Sequence, residues 1–240
     1  MEHKDRIRKN AKASVGTSNL GAFLRDKVIA AIRANLAVQH KFSAKLFLDL
    51  SKSLVRENTQ KLNGDQHREY RAYAIGSVIS SVCWLETTIN DLYLSAVDGS
   101  FKPPKGMDPS LSRLLAGFWN VTEEAEKHIS ILEKYQVALQ LANKAEFDKG
   151  TTPYQEVSDL LKLRNGLVHF KPEWDTDEKE HKKIQKRLES YRFELDPYYG
   201  SGDAFFPKKC LSHGCAEWAY HTADSFLQEF NSRMKFAKNS

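Results

Sequence analysis

The stretch YRAYAIGSVISSVCWLETTINDLYLSAV, residues 70–97, decides the fold class of this chain. Its apolar side chains recur every three or four residues, which is the spacing of one face of an α-helix. That face consists of Ala74, Val78, Val82, Leu85, Ile89, Leu92 and Ala96. A long helix with one continuous apolar stripe must be covered by other elements, so we predict that it lies in the core.

The flanking sequence has the same helical spacing and no clear alternation of apolar and polar residues. Residues 23–55 fit one or two helices, and the turn signal Asn63-Gly64-Asp65 separates them from the core helix. An N-cap at Asn120 with Glu123 three residues later predicts another helix. That helix is expected to span residues 120–147. Thr152 as N-cap and Pro153 at the first helical position predict a helix at 153–170. Two more helices are predicted at 175–191 and 214–235. The sequence therefore predicts an all-α fold.

Composition restricts the class of protein. The chain has 240 residues, 41% of them hydrophobic and 28% charged, with a net charge of +5. These values are ordinary for a globular protein and exclude a wholly disordered or histone-like chain. The start is polar and no apolar run reaches the length of a membrane span, so we expect a cytoplasmic protein without a membrane partner. Three cysteines in a chain of this size fit reduced thiols.

The sequence LKLRNGLVHF, residues 161–170, groups the side chains best suited to chemistry. Asn165 and His169 are four residues apart and share one helix face. Arg164 lies about 100° round the helix, and we expect its long side chain to converge on the same pocket. Gly166 costs helix stability, which indicates close approach of another helix or of a substrate backbone.

These residue types suit phosphodiester cleavage. A histidine transfers protons near neutral pH, and an arginine stabilises the growing charge on a phosphate. In RNA the 2′-hydroxyl is the nucleophile, so no metal or other cofactor is needed. Cleavage also requires a second proton-transfer group, and a symmetric homodimer would supply a second His169.

The run Arg164-Asn165-Gly166-Leu167-Val168-His169 resembles the R-x4-6-H motif of the HEPN superfamily. The stretch WLETTINDLY at residues 84–93 is similar to an early HEPN helix, and residues 215–230 are similar to the last one. The resemblance covers residues 67–236. It implies a HEPN-like antiparallel helical bundle at 67–240 that dimerises around the motif helices, and it leaves residues 1–66 as an N-terminal helical extension.

The resemblance also implies a function and a set of site residues. Many HEPN proteins are metal-independent endoribonucleases of bacterial defence or toxin–antitoxin systems. Carried over, Arg164 and His169 are catalytic and Asn165 orients them. Glu86 and Asn90, four residues apart on the core helix, either support them directly, for example through a hydrogen bond to Arg164, or form a solvated polar face or a buried polar pair. The implied partners are RNA, including tRNA, a second copy of the chain, and an antitoxin or regulatory protein. Some members carry a tyrosine where this chain has Lys171, so that tyrosine's role does not carry over.

Simpler interpretations stay open beside these. Arg164 and His169 also fit an ordinary positive helix C-terminus. The basic residues near the motif contact either RNA or only solvent: Lys171, Lys182, Lys183, Lys186 and Arg187. Cys210, His213 and Cys215 have metal-ligating side chains, but a structural zinc site needs a fourth ligand. The alternatives to an enzyme are a non-catalytic HEPN-like module that binds RNA, nucleotide or a partner protein, and an oligomerisation protein with an incidental motif.

Overall fold

The computed structural model describes residues 35–57, 62–98, 107–121, 129–173 and 179–236. Regular structure in these ranges is helical and includes no strand, which confirms the all-α prediction. Seven α-helices lie in these ranges: α1 Ala37–Glu57, α2 Gly64–Asp98, α3 Pro109–Val121, α4 Ile131–Leu141, α5 Tyr154–Val168, α6 Glu180–Leu188 and α7 His213–Met234. A 3₁₀ turn at Glu189–Tyr191 and a wide turn at Phe205–Lys209 connect α6 to α7.

Helix α2 is the centre of the bundle, as its apolar stripe predicts. All seven stripe residues are at most 8% exposed, and α1, α3, α4, α5 and α7 all pack on this helix. By length and composition alone α2 could cross a membrane, because it contains an apolar window of 18 residues. Half of that window, however, is buried inside the protein. A core helix shows the same combination.

Helix α1 runs antiparallel to α2. Near its start, the Asn35 side chain donates to Asp91 at 3.1 Å, and further along the Ser77 hydroxyl donates to the carbonyl of Ala44 at 2.8 Å. Residues 35–57, within the predicted extension, therefore pack directly on the core helix. The helical spacing predicted for residues 23–34 lies outside the described residues.

The segment between α2 and α5 differs from its prediction. Asn120 lies inside α3, a helix that the sequence analysis did not predict, so it does not begin the helix expected at 120–147. The capping box belongs instead to Ser130 and Glu133, which begin α4 by bonding reciprocally to each other's backbone. Helix α4 ends well before residue 147 because Asn143 adopts a left-handed φ of 52°.

Helix α5, which carries the motif, has nearly the predicted limits. Its end at Val168 agrees with the restriction that Pro172 places on the preceding residues. The predicted N-cap at Thr152 is wrong, because its hydroxyl donates to the Glu156 carboxylate at 3.2 Å and no side chain caps the helix. The buried face of α5 packs on α2 and α7, which leaves its opposite face to α6.

Candidate functional site

Helices α5 and α6 border a cleft of about 920 Å³, with Phe206 on its floor. The close approach of the two helices depends on Gly166. A Cβ atom at this position would lie 2.6 Å from Cδ1 of Ile184 on α6, closer than any ordinary contact. The neighbour that the glycine admits is therefore another helix of the same chain.

Asn165 and His169 both line this cleft and both are exposed, as their shared helix face predicts. His169 follows the last residue of α5, and its backbone N–H donates to the carbonyl of Asn165 at 2.9 Å. This bond continues the helical backbone to His169, so the exposed imidazole lies one turn beyond the Asn165 amide. Both side chains are placed to contact a bound ligand.

Arg164 does not line the cleft with Asn165 and His169. It lies about 200° round α5 from the cleft residue Lys162, which places it on the opposite face of the helix. Its guanidinium is 3.7 Å from the Glu86 carboxylate on α2, and its Nε is buried without a hydrogen-bond partner among the described residues. The expected convergence of Arg164 on the pocket of Asn165 and His169 is therefore not seen within one chain.

The two α2 residues predicted to support the motif have different surroundings. Glu86 forms the ion pair with Arg164, but 3.7 Å is too long for the expected hydrogen bond. Asn90 does not pair with Arg164 as Glu86 does. Its side-chain oxygen instead accepts a hydrogen bond from the buried Lys134 ammonium at 2.9 Å. Only Glu86 is therefore placed to influence Arg164.

The cleft is basic, with five cationic side chains and two carboxylates in its lining. Four of the predicted RNA-binding residues lie there, namely Lys171, Lys183, Lys186 and Arg187, while Lys182 is exposed outside it. Lys183 pairs with Glu180 at 2.6 Å and Arg187 with Asp159 at 3.0 Å. Within the described ranges, Lys171 and Lys186 have no such partner. Lys162 and Arg187 share the one Asp159 carboxylate, so the cations of the lining outnumber its carboxylates by three.

Asp159 is a cleft residue that the sequence analysis missed. It is 4% exposed, and its carboxylate accepts hydrogen bonds from Gln155, Lys162, Arg187 and Tyr191. Burial raises the pKa of the Tyr191 hydroxyl, and the bond to Asp159 raises this pKa further. Asp159 thus ties α5 to α6 and to the turn after it. The signal in the sequence was a single acidic residue between the apolar Val157 and Leu160.

His181 also lines the cleft, although it lies on a helix whose charged sequence does not indicate a buried residue. It is 6% exposed, and its Nε2 donates to the carbonyl of Lys171 at 3.1 Å. Glu173 lies 3.7 Å from the other ring nitrogen and accepts from two backbone N–H groups at the start of α6, which lower the pKa of this carboxyl. His181 therefore fixes the segment that follows His169.

The cysteine and histidine group near α7 does not have the geometry of a metal site. His213 bonds through one ring nitrogen to Tyr70 and through the other to Glu194. Burial raises the pKa of the Cys210 thiol to about 12 and that of Cys215 well above its usual value, so both thiols stay protonated. No group of three or more potential ligands forms a metal site in the part of the chain that the structure describes.

Comparison with protein-family models finds no match for this chain, and comparisons with curated proteins and with solved structures find none either. The resemblance to the HEPN superfamily therefore depends on the sequence motif. The function has to be argued from the cleft and its residues.

Proposed function

We propose that the chain is a metal-independent endoribonuclease whose active site includes the cleft between α5 and α6. The observation that carries the proposal is the position of His169, an exposed imidazole in the lining of a cleft where cationic side chains outnumber carboxylates. A polyanion is the class of ligand that such a lining attracts. An imidazole beside a bound phosphodiester is placed for proton transfer.

In the proposed reaction, the ribose 2′-oxygen attacks the adjacent phosphorus and the bond from phosphorus to the 5′-oxygen breaks. The products are a 2′,3′-cyclic phosphate and a 5′-hydroxyl. His169 removes the proton from the 2′-oxygen or delivers one to the leaving 5′-oxygen. Lys171 and Lys186 stabilise the negative charge that builds on the phosphate, and the Asn165 amide donates to it.

A complete reaction needs a second proton-transfer group. Two candidates in the cleft are already engaged, because His181 donates to a backbone carbonyl and the Tyr191 hydroxyl donates to Asp159. The proposal therefore includes a homodimer, in which a second copy supplies another His169. Arg164 would then act across the dimer contact rather than within its own chain.

The test is cleavage of RNAs, including tRNA, by the purified chain with and without EDTA. We expect cleavage that survives EDTA, leaves cyclic phosphate ends, and is lost in His169→Ala. His221→Ala is the matched control, because His221 is an exposed histidine of α7 outside the cleft. Intact RNA with folded wild-type protein, or equal cleavage by His169→Ala, would refute the proposal.

A second candidate is a non-catalytic module that binds RNA, nucleotide or a partner protein, and the ion pair that holds Arg164 away from the cleft favours it. The two candidate functions predict different effects on the growth of cells that express the chain. A cytoplasmic ribonuclease of a toxin–antitoxin or antiviral-defence system slows growth when expressed without its antitoxin or regulator, and Arg164→Ala relieves this toxicity. Equal tolerance of both chains, with RNA or a partner retained on purification, favours the module.

A further inference from the structure

Phe170 is an aromatic residue that the proposed reaction does not use, and its ring packs on two residues of the cleft lining, His181 and Phe206. It follows His169 directly and is 44% exposed. One face of its ring stacks on His181, with ring centroids 5.4 Å apart and planes 22° from parallel. Phe206, 6.1 Å away, packs at a tilt and is almost fully buried.

This packing fixes the orientation of the ring. His181 cannot turn freely, because its Nε2 is bonded to the Lys171 carbonyl and its ring also packs edge-on against Phe206 at 5.1 Å. Phe170 therefore presents a partly exposed ring on a rigid support. A side chain that only filled space in the core would not keep nearly half of its surface in solvent.

The neighbours of Phe170 define the chemistry of its ligand. His169 precedes it and Lys171 follows it, and both line the cleft. The ring of Phe170 stacks on His181, which is another lining residue, so a ligand on its exposed part lies at the edge of the same cleft as the His169 imidazole and the Lys171 ammonium group. An anionic ligand with a flat ring fits these three side chains, and a nucleotide has both features.

We propose that Phe170 is a stacking platform for an unpaired base of the RNA that the cleft binds. This inference rests on the proposed function, and it names the substrate class as single-stranded RNA. In an A-form duplex each base is stacked and paired inside the helix, so it has no free face to offer. Stacking on a protein ring requires a base that is unstacked, as in loops, bulges and single strands.

The experiment measures binding in a His169→Ala background, in which the proposed cleavage is absent. A labelled single-stranded RNA is compared with its duplex and with an abasic ribose-phosphate strand of equal length. Phe170→Leu keeps an apolar side chain on His181 but removes the aromatic face, and Phe170→Trp keeps that face. Val168→Ala is the control, because Val168 is similarly exposed, at 51%, and has no ring.

We expect Phe170→Leu to weaken binding of the single strand by about 5- to 150-fold, the range for one stacked base. Phe170→Trp and Val168→Ala should keep the original affinity. The abasic strand should bind equally to the parent chain and to Phe170→Leu, because the loss of the base and the loss of the ring remove the same contact. Thermal unfolding of each variant checks that it is folded.

Three results would overturn the inference. One is equal affinity of Phe170→Leu and the parent chain for the single strand, and another is a Phe170→Trp variant that binds no better than Phe170→Leu. The third is loss of dimerisation in Phe170→Leu, which would assign the ring to a protein contact. Phe170-dependent binding without any cleavage by the wild-type chain would refute the proposed catalysis and leave this inference standing.

Discussion

Substituting Gly166 with alanine tests whether the cleft is built on a close contact between α5 and α6. Two effects of Gly166→Ala oppose each other. Alanine in a helix is about 1 kcal/mol more favourable than glycine. The new Cβ, however, would lie 2.6 Å from Ile184 Cδ1, against 3.4 Å for an ordinary contact, and overpacking costs about 1–3 kcal/mol. We expect Gly166→Ala to lower the free energy of unfolding by about 0–2 kcal/mol.

The variant Ile184→Val removes only the Cδ1 atom that causes the clash. The next atom that the new Cβ meets is in Phe206, at an ordinary 3.5 Å. Gly166→Ala should therefore stabilise the Ile184→Val background by about 1 kcal/mol, because only the helix-propensity gain remains. The coupling between the two substitutions is then about 1–3 kcal/mol.

The assay is urea unfolding of the four proteins of this cycle. Gly117→Ala is the control, since Gly117 lies inside α3 and a Cβ there meets nothing within 4 Å. It should be stabilising by up to about 1 kcal/mol with either residue at position 184. If Gly166→Ala raises stability equally in both backgrounds, Ile184 Cδ1 does not obstruct a side chain at position 166, and the packing of α5 on α6 does not depend on the glycine.

Three further predictions concern buried or hydrogen-bonded groups. Asp159→Asn should lower the free energy of unfolding by about 1–3 kcal/mol, because its four donors lose a charged acceptor; a loss below about 0.5 kcal/mol in urea unfolding would contradict the network. The lowered pKa of Glu173 gives stability that is present above its unfolded pKa of about 4.3 and lost as pH falls through the folded value, so Glu173→Gln should lose less stability on acidification than the parent. With a thiol reagent at pH 8, Cys83 should react in the folded chain and Cys210 and Cys215 only on unfolding, because both are fully buried; labelling of all three at one rate would refute this.

The core helices could be predicted from the sequence because burial repeats with the helix period. The stripe of α2 shows this, and so does α7, where Phe226 and Phe230 are four residues apart and both buried. Helix α3 was missed because Pro109 follows two other prolines, and such a cluster is typical of loops, whereas proline is also favourable at a first helical position. The spacing of Leu111, Leu115 and Phe118 by four and three residues fits a helix, so the sequence did contain this signal.

The cleft itself could be predicted only in part. The shared face of Asn165 and His169 follows from helix geometry, so the sequence contained it. His181 was missed because charged residues surround it on α6, and its burial comes from stacking on Phe170, a contact between distant elements. Tertiary packing of this kind leaves no periodic signal in the sequence.

The dimer of the proposed reaction leads to a final prediction. Five residues apart, the side chains of Arg164 and His169 leave the helix about 140° from each other, and in the structure they face different surroundings. If both take part in one reaction, they must come from two chains, and the proposed reaction also uses the His169 of both chains. Refolding equal amounts of wild-type and His169→Ala chains together makes about half of the dimers mixed and leaves about a quarter with both histidines. We expect about a quarter of the activity of the same total amount of wild-type chain, because a mixed dimer lacks one proton-transfer group. About half of that activity, with mixed dimers shown to form, would mean that each His169 acts without the partner's His169.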